Sequence, residues 1–230
     1  MGMDVHGLNP KQNKKIEEFP VFYKYKKMEQ SDANTEISGF QQKWKELNAD
    51  EELSEKYWKE SHEYEEANPG YYFRNNVWWW RPLWNYCWYI AEELLEKNLR
   101  LKKYETDEDG ETNFEKYEWK TATYDDGHGN SGVGLDEDRA KELGEILMST
   151  VADGSALQYQ VDYMQMIEDL PLEICGYCNG NNRGHNKMKD CKTCGGTGKV
   201  KSFNTHYPFD VDNVEEFAKF CIESGGFEIC

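Results

Sequence analysis

Four cysteines carry the clearest chemistry in this chain. Cys175, Cys178, Cys191 and Cys194 form the pattern C-x2-C-x12-C-x2-C. Two thiolates separated by two residues on a tight turn can both point at one ion, and two such turns supply the four tetrahedral sulfur donors that zinc prefers. Glycine follows each pair, in Cys178-Asn179-Gly180 and in Cys194-Gly195-Gly196-Thr197-Gly198, where the missing Cβ lets backbone N–H groups turn towards the sulfurs. The alternative of two disulfides would need an oxidising compartment, to which nothing in the sequence points. Four sulfurs close the coordination shell and leave no position for water, so the expected role of Zn2+ is structural. His185 is a spare donor that a complete cysteine set makes unnecessary, and it is expected in an exposed loop.

A second constellation lies in Phe73-Arg74-Asn75-Asn76-Val77-Trp78-Trp79-Trp80-Arg81-Pro82, three tryptophans between two arginines. Arginine forks onto phosphate or carboxylate, indole faces stack on nucleobases, and a helix N-terminus adds free N–H groups. The competing reading is packing, because three adjacent tryptophans cannot share one helix face and at least two of them can face a core. A third block, Asp125-Asp126-Gly127-His128-Gly129-Asn130-Ser131-Gly132, combines glycines with polar side chains. His128 and Asn130 are ligand candidates, and Asp126 with His128 is a candidate acid/base pair; a flexible capped turn is the alternative. Patterns such as GxSxG, the P-loop, GxGxxG and HExxH are absent, so the common enzyme classes gain no support and a non-enzyme is favoured. The ligand set to be tested is Arg74, Trp78, Trp80, Arg81, His128 and Asn130.

These residues must be positioned by a mainly helical framework. Trp84, Cys87, Trp88, Ala91, Leu94 and Leu95 recur at helical spacing, and Pro82 suits a first turn, which predicts a helix from Pro82 to Asn98 with Arg81 at its N-terminus. Asp136 is positioned to cap a helix whose apolar face is Ala140, Leu143, Leu147 and Val151, with Gly154 stopping it. A following helix to Leu170 places Tyr159, Tyr163, Met166, Ile167 and Leu170 together, and Asp210 or Asp212 caps another that carries Val214, Phe217, Ala218 and Cys221. Phe40 to Ala67 predicts one or two exposed amphipathic helices. The first 38 residues predict a loop with an edge strand near Phe22, Tyr23 and Tyr25, and Asp109-Gly110 predicts a hairpin turn. Cys87 and Cys221 fall on apolar helix faces as small hydrophobes. The expected fold class is mainly α with small β elements, an α+β chain forming a single compact domain. Residues 1–174 with 207–230 make its body, and residues 175–206 make an inserted zinc module.

Composition bounds the partners. The 230 residues hold 44 acidic and 27 basic side chains, net charge -17, with eight tryptophans, fifteen tyrosines and ten phenylalanines. The mean hydropathy of -0.95 is low, yet this many aromatics can build a core from few positions. The charge disfavours direct nucleic-acid binding. Residues 175–206 run the other way, with Arg183, Lys187, Lys189, Lys192, Lys199 and Lys201 against Asp190, which neutralises zinc-bound thiolates or forms a basic patch. No stretch reaches the roughly 18 apolar residues of a membrane span, and the start MGMDVHGLNP resembles neither a signal peptide nor a myristoylation site. A soluble cytoplasmic protein, with oligomers open, is the expectation.

Two resemblances bear on function. The CxxC-glycine repeats resemble the CxxCxGxG modules of DnaJ-type chaperones, although one pair of pairs is present and the HPD signature is absent; the likeness implies zinc and not chaperone activity. The whole chain is similar to a family of uncharacterised phage and bacterial proteins through the blocks MGMDVHG, YFRNNVWWWRPL, DGHGNSGVGLD, the CxxC pairs and YPFDVDNVEEFAKFCIESGGFEIC. That resemblance implies a phage or bacterial setting and places Arg74, Trp78, Trp80, Arg81, His128 and Asn130 in signature segments. The charged stretch before Tyr72 and the acidic segment near Asp109 depart from the shorter members and read as surface additions. Three functions follow for testing: sequestration of a small nucleotide-type ligand at a Trp/Arg/His site; a protein-binding adaptor or host-defence antagonist that uses the acidic surface; or a hydrolase-like enzyme using Asp126 and His128.

Overall fold

The alternation at the start of the chain sends Met3 and Val5 inward and leaves Asp4 and His6 on the other face, which makes strand β1 (Gly2–Gly7). The computed structural model describes residues 2–30, 38–106, 112–181 and 188–230. Next come α1 (Pro20–Gln30), α2 (Gly39–Ala49), α3 (Glu51–Ala67), β2 (Tyr72–Asn76) and α4 (Val77–Asn98). The hairpin strands β3 (Arg100–Thr106) and β4 (Thr112–Thr121) follow, then β5 (Val133–Leu135), α5 (Glu137–Ala152) and α6 (Ser155–Glu168). The chain finishes with β6 (Glu173–Ile174), β7 (Lys199–Val200), α7 (Val211–Glu223) and β8 (Phe227–Ile229). The fold is α+β: one six-stranded sheet in the order β2-β1-β8-β5-β3-β4, and a two-stranded ladder β6-β7, every pair antiparallel.

The main core lies between one face of the sheet and helices α4, α5 and α7. Trp80, Trp84, Leu143, Phe217, Phe227 and Ile229 are all buried in it. Helix α5 is capped by Asp136, whose carboxylate accepts from the Arg139 N–H at 3.1 Å. Its face of Ala140, Leu143 and Leu147 is buried as its spacing predicts, and Gly154, at φ 81°, ends it. Gly144 permits close packing on α7, since a Cβ there would press on the Ala218 carbonyl. Helix α7 is capped by Asp210.

Two expectations need correction. Residues 20–30 form helix α1 and not an edge strand: Pro20 occupies its first position, and its free amides are satisfied from elsewhere, with the buried Glu60 of α3 accepting from Val21 and Phe22 at 2.6 and 3.0 Å. That cap is supplied 38 residues away, so no local signal announced it. Helix α4 begins at Val77, five residues ahead of Pro82, because the Asn76 side chain accepts from the N–H groups of Trp78 and Trp79 at 3.0 and 3.2 Å. Pro82 is therefore interior and Arg81 is past the free N–H groups. Near the C-terminus, Phe227–Ile229 pairs with both β1 and β5 in the centre of the sheet. Helices α2 and α3 form as expected, but with α1 they enclose a second core of Phe19, Phe22, Tyr25, Leu47, Tyr57 and Tyr64. The β3–β4 pairing matches the expected hairpin, whose turn at Asp109-Gly110 lies outside the described residues, as does His185.

Candidate metal centre and the adjoining cleft

The four cysteines form a small buried cluster of their own. Cys175 Sγ and Cys191 Sγ are 3.8 Å apart, as are Cys178 Sγ and Cys194 Sγ, and all four sulfurs lie within 4.8 Å of one another. Zinc–sulfur bonds of about 2.3 Å place the corners of a tetrahedron about 3.8 Å apart, so the donor set fits zinc, while a disulfide would require about 2.05 Å. The turns adopt the conformations that their residues allow: Asn179, Gly180, Gly195, Gly196 and Gly198 all have positive φ. The Gly198 N–H reaches Cys194 Sγ at 3.3 Å. Burial opposes ionisation of Cys194, but N–H groups of Gly198 and Gly196 and the neighbouring thiols outweigh it and hold this thiol below its ordinary value. Main-chain pairing closes the module, with Glu173 opposite Val200 and Ile174 opposite Lys199.

The segment leaving the module runs directly against helix α4. Residues Phe203–His206 make one 3-10 turn capped by Ser202, and Trp78 packs on Phe203 and Tyr207 at ring separations of 5.2 and 4.9 Å. Arg81 Nη1 donates to Tyr207 Oη at 2.7 Å, and Tyr163 Oη donates to the Tyr207 carbonyl at 2.8 Å. Between these elements is a cleft of about 490 Å3, walled by Arg81, Pro82 and Asn85 of α4, by Tyr163 and Ile167 of α6, and by Phe203, Asn204 and Tyr207. Arg81 is the one charged side chain on that lining, and among the described residues no carboxylate lies within ion-pair distance of it.

The other candidate residues are spread around this cleft rather than gathered in it. Trp80 is fully buried, stacked on Trp84 at 5.6 Å, and its indole N–H donates to the Gly127 carbonyl at 2.8 Å. It holds the 125–128 loop from inside the core, whereas Trp78 backs the cleft wall. His128 is half-buried with its ring edge on Tyr124 at 4.7 Å, and its Nδ1 is buried without a partner. Burial, then the positive charge of Arg81, lowers its pKa below the ordinary histidine value. Tyr124 Oη donates to Asn85 Oδ1, which links this loop to the cleft's rim. Asp126 accepts from the Thr123 N–H and hydroxyl, each at 2.7 Å, so its carboxylate fastens its own loop. Asn130 donates to the Gly2 carbonyl at 3.1 Å. Arg74 sits on β2 beside Asp4 at 3.5 Å and lines a different cleft, with His6, Lys26, Trp58 and His62.

Asn85 and Tyr207 were missed by sequence reasoning. Asn85 follows Arg81 by four residues, so helical spacing could have found it; Tyr207 is brought in only by the return of the chain from the four-cysteine module. Cys87 and Cys221 are buried, and burial raises both thiols. Among the described residues no helix is long and apolar enough to cross a membrane. Comparison of the chain with protein-family models, curated proteins and solved structures returned no match.

Proposed function

We propose that this chain is a zinc-stapled binding protein that takes a small nucleotide-type ligand at the Arg81 cleft. The observation that carries the reading is Arg81 itself: an exposed guanidinium held by Tyr207 and, among the described residues, without a carboxylate partner, at a cleft whose other lining residues are uncharged, in a chain of net charge -17. A phosphate there would gain a forked, charge-assisted contact. The rings of Tyr163, Phe203 and Tyr207 offer faces for a base, and the amides of Asn85 and Asn204 offer donors and acceptors for its edge. Titration calorimetry of the zinc-loaded protein with AMP, GMP, CMP and UMP tests the reading. Binding of at least one of them, weakened tenfold or more by Arg81→Ala, is the expected result; no heat from any of the four overturns it.

A second reading, a protein-binding adaptor or host-defence antagonist, is favoured by one observation. Leu157 and Val161 on α6, Leu172 and Ile174 on the approach to the module and Tyr177 within it are all exposed, and apolar groups of this kind form a contact surface where they are contiguous. Capture of a basic host protein that weakens steeply with added salt would favour it over the first reading.

A further inference from the structure

We infer that the zinc centre builds the Arg81 cleft, so that the cleft and its affinity for a mononucleotide exist only in the zinc-loaded protein. The ligand half of this inference rests on the function proposed above; the structural half stands on chain connectivity. One wall of the cleft is the end of α6, which leads into the module through residues 169–172. The facing wall is residues 203–207, the segment that leaves it. The two walls are thus the incoming and outgoing chain of one metal-closed loop. They are joined at its neck by a ladder only two residues long on each side, one residue from Cys175.

Without the metal, little holds that neck. An isolated two-stranded ladder is marginal in water, and this one is two residues per strand. The module's buried cluster consists of the four cysteines, with Met188 and Val200 partly buried against them, and it is separate from the main core. A segment with so little apolar burial depends on its metal for order. The outgoing wall is tied to the body by Trp78, by the Arg81–Tyr207 hydrogen bond and by the Tyr163–Tyr207 hydrogen bond, its first buried anchor in the main core is Phe209 just beyond it, and Phe203 is 57 % exposed. Contacts of this kind open locally when the restraint beyond them is removed. The helices α4, α5 and α7 need no such restraint, because their partners lie in the main core. Linkage then runs both ways: whatever occupies the cleft strengthens zinc retention by the same factor by which zinc strengthens its binding.

Hydrogen exchange of the full chain, before and after removal of zinc with a chelator, tests the structural half directly. The expected result is a loss of protection of tenfold or more in residues 199–207 and at the end of α6, with α4, α5 and α7 unchanged, and recovery when zinc is restored. Unchanged protection in 203–207 overturns the inference, and so does loss of protection throughout the main core. Calorimetry on the same samples with each of AMP, GMP, CMP and UMP that binds the loaded protein reads the ligand half: binding that falls at least tenfold on chelation supports it, and equal affinity in both states overturns it. If none of the four mononucleotides binds the loaded protein, the proposed function and the ligand half fall together, while the exchange result still decides whether zinc holds the two walls. Tyr207→Phe, which removes only the hydroxyl contact with Arg81, provides a folded comparison in which zinc content stays at the wild-type level.

Discussion

Replacing Gly127 by alanine tests how the glycine-rich 125–132 segment is used. A Cβ at position 127 would fall well under 3.0 Å from the indole of Trp84. That ring cannot retreat easily: it is fully buried, stacked on Trp80 at an interplanar angle of 14°, and its N–H donates to the Tyr124 carbonyl at 3.0 Å. Overpacking of a filled core costs about 1–3 kcal/mol, and breaking the buried indole hydrogen bond adds about 1 kcal/mol, so a loss of about 2–4 kcal/mol is expected. For a chain of this length each kcal/mol lowers the melting temperature by roughly 2–4 °C, which predicts a fall of about 5–15 °C. Gly129→Ala is the internal control: no atom lies within 4 Å of its added methyl, and its φ of -133° suits any residue. Its stability should stay within about 0.5 kcal/mol of wild type. Urea unfolding followed by tryptophan fluorescence measures both. Equal stability of the two variants would refute the argument that Gly127 exists for the sake of Trp84.

Metal analysis should find one zinc per chain, and Cys191→Ser should lose it and lower stability while the main-core transition survives; a full zinc content in that variant would remove Cys191 from the ligand set. Glu60→Ala should destabilise by about 2–3 kcal/mol, because it leaves the Val21 and Phe22 amides of α1 without their acceptor, and a change below about 0.5 kcal/mol in chemical denaturation would count against that distant cap. Burial lowers the pKa of both His6 and His128. The folded state therefore favours neutral rings that the unfolded chain protonates near 6.5, so this contribution to stability is complete above that pH and is lost as pH falls below it. Melting temperatures that stay constant from pH 7.5 to 5 would contradict it. Arg81→Ala should raise the His128 pKa towards the ordinary value, read by NMR titration, since the Arg81 charge is one of the causes that depress it.

What the sequence determined by itself is whatever local spacing can encode. The four-cysteine cluster was legible because each pair sits on one turn and its chemistry depends on a two-residue gap. Helices α5 and α7 were legible because Asp136 and Asp210 cap the amides beside them and their apolar faces repeat at helical spacing. Tertiary structure decided the rest, where the partner of a residue is distant in the chain. Helix α1 depends on Glu60, and the central strand β8 depends on β1 and β5, neither of which its own four-residue apolar tail can specify. The tryptophan block is the clearest case. Trp78 and Trp80 are chemically identical and two residues apart, yet the helical turn begun by Asn76 aims Trp80 into the core and leaves Trp78 against Tyr207. Arg81 likewise acquires its cleft because the chain leaving the four-cysteine module brings Phe203 to Tyr207 to that side of α4, a juxtaposition of residues 126 positions apart in the case of Arg81 and Tyr207 and not of neighbours in sequence.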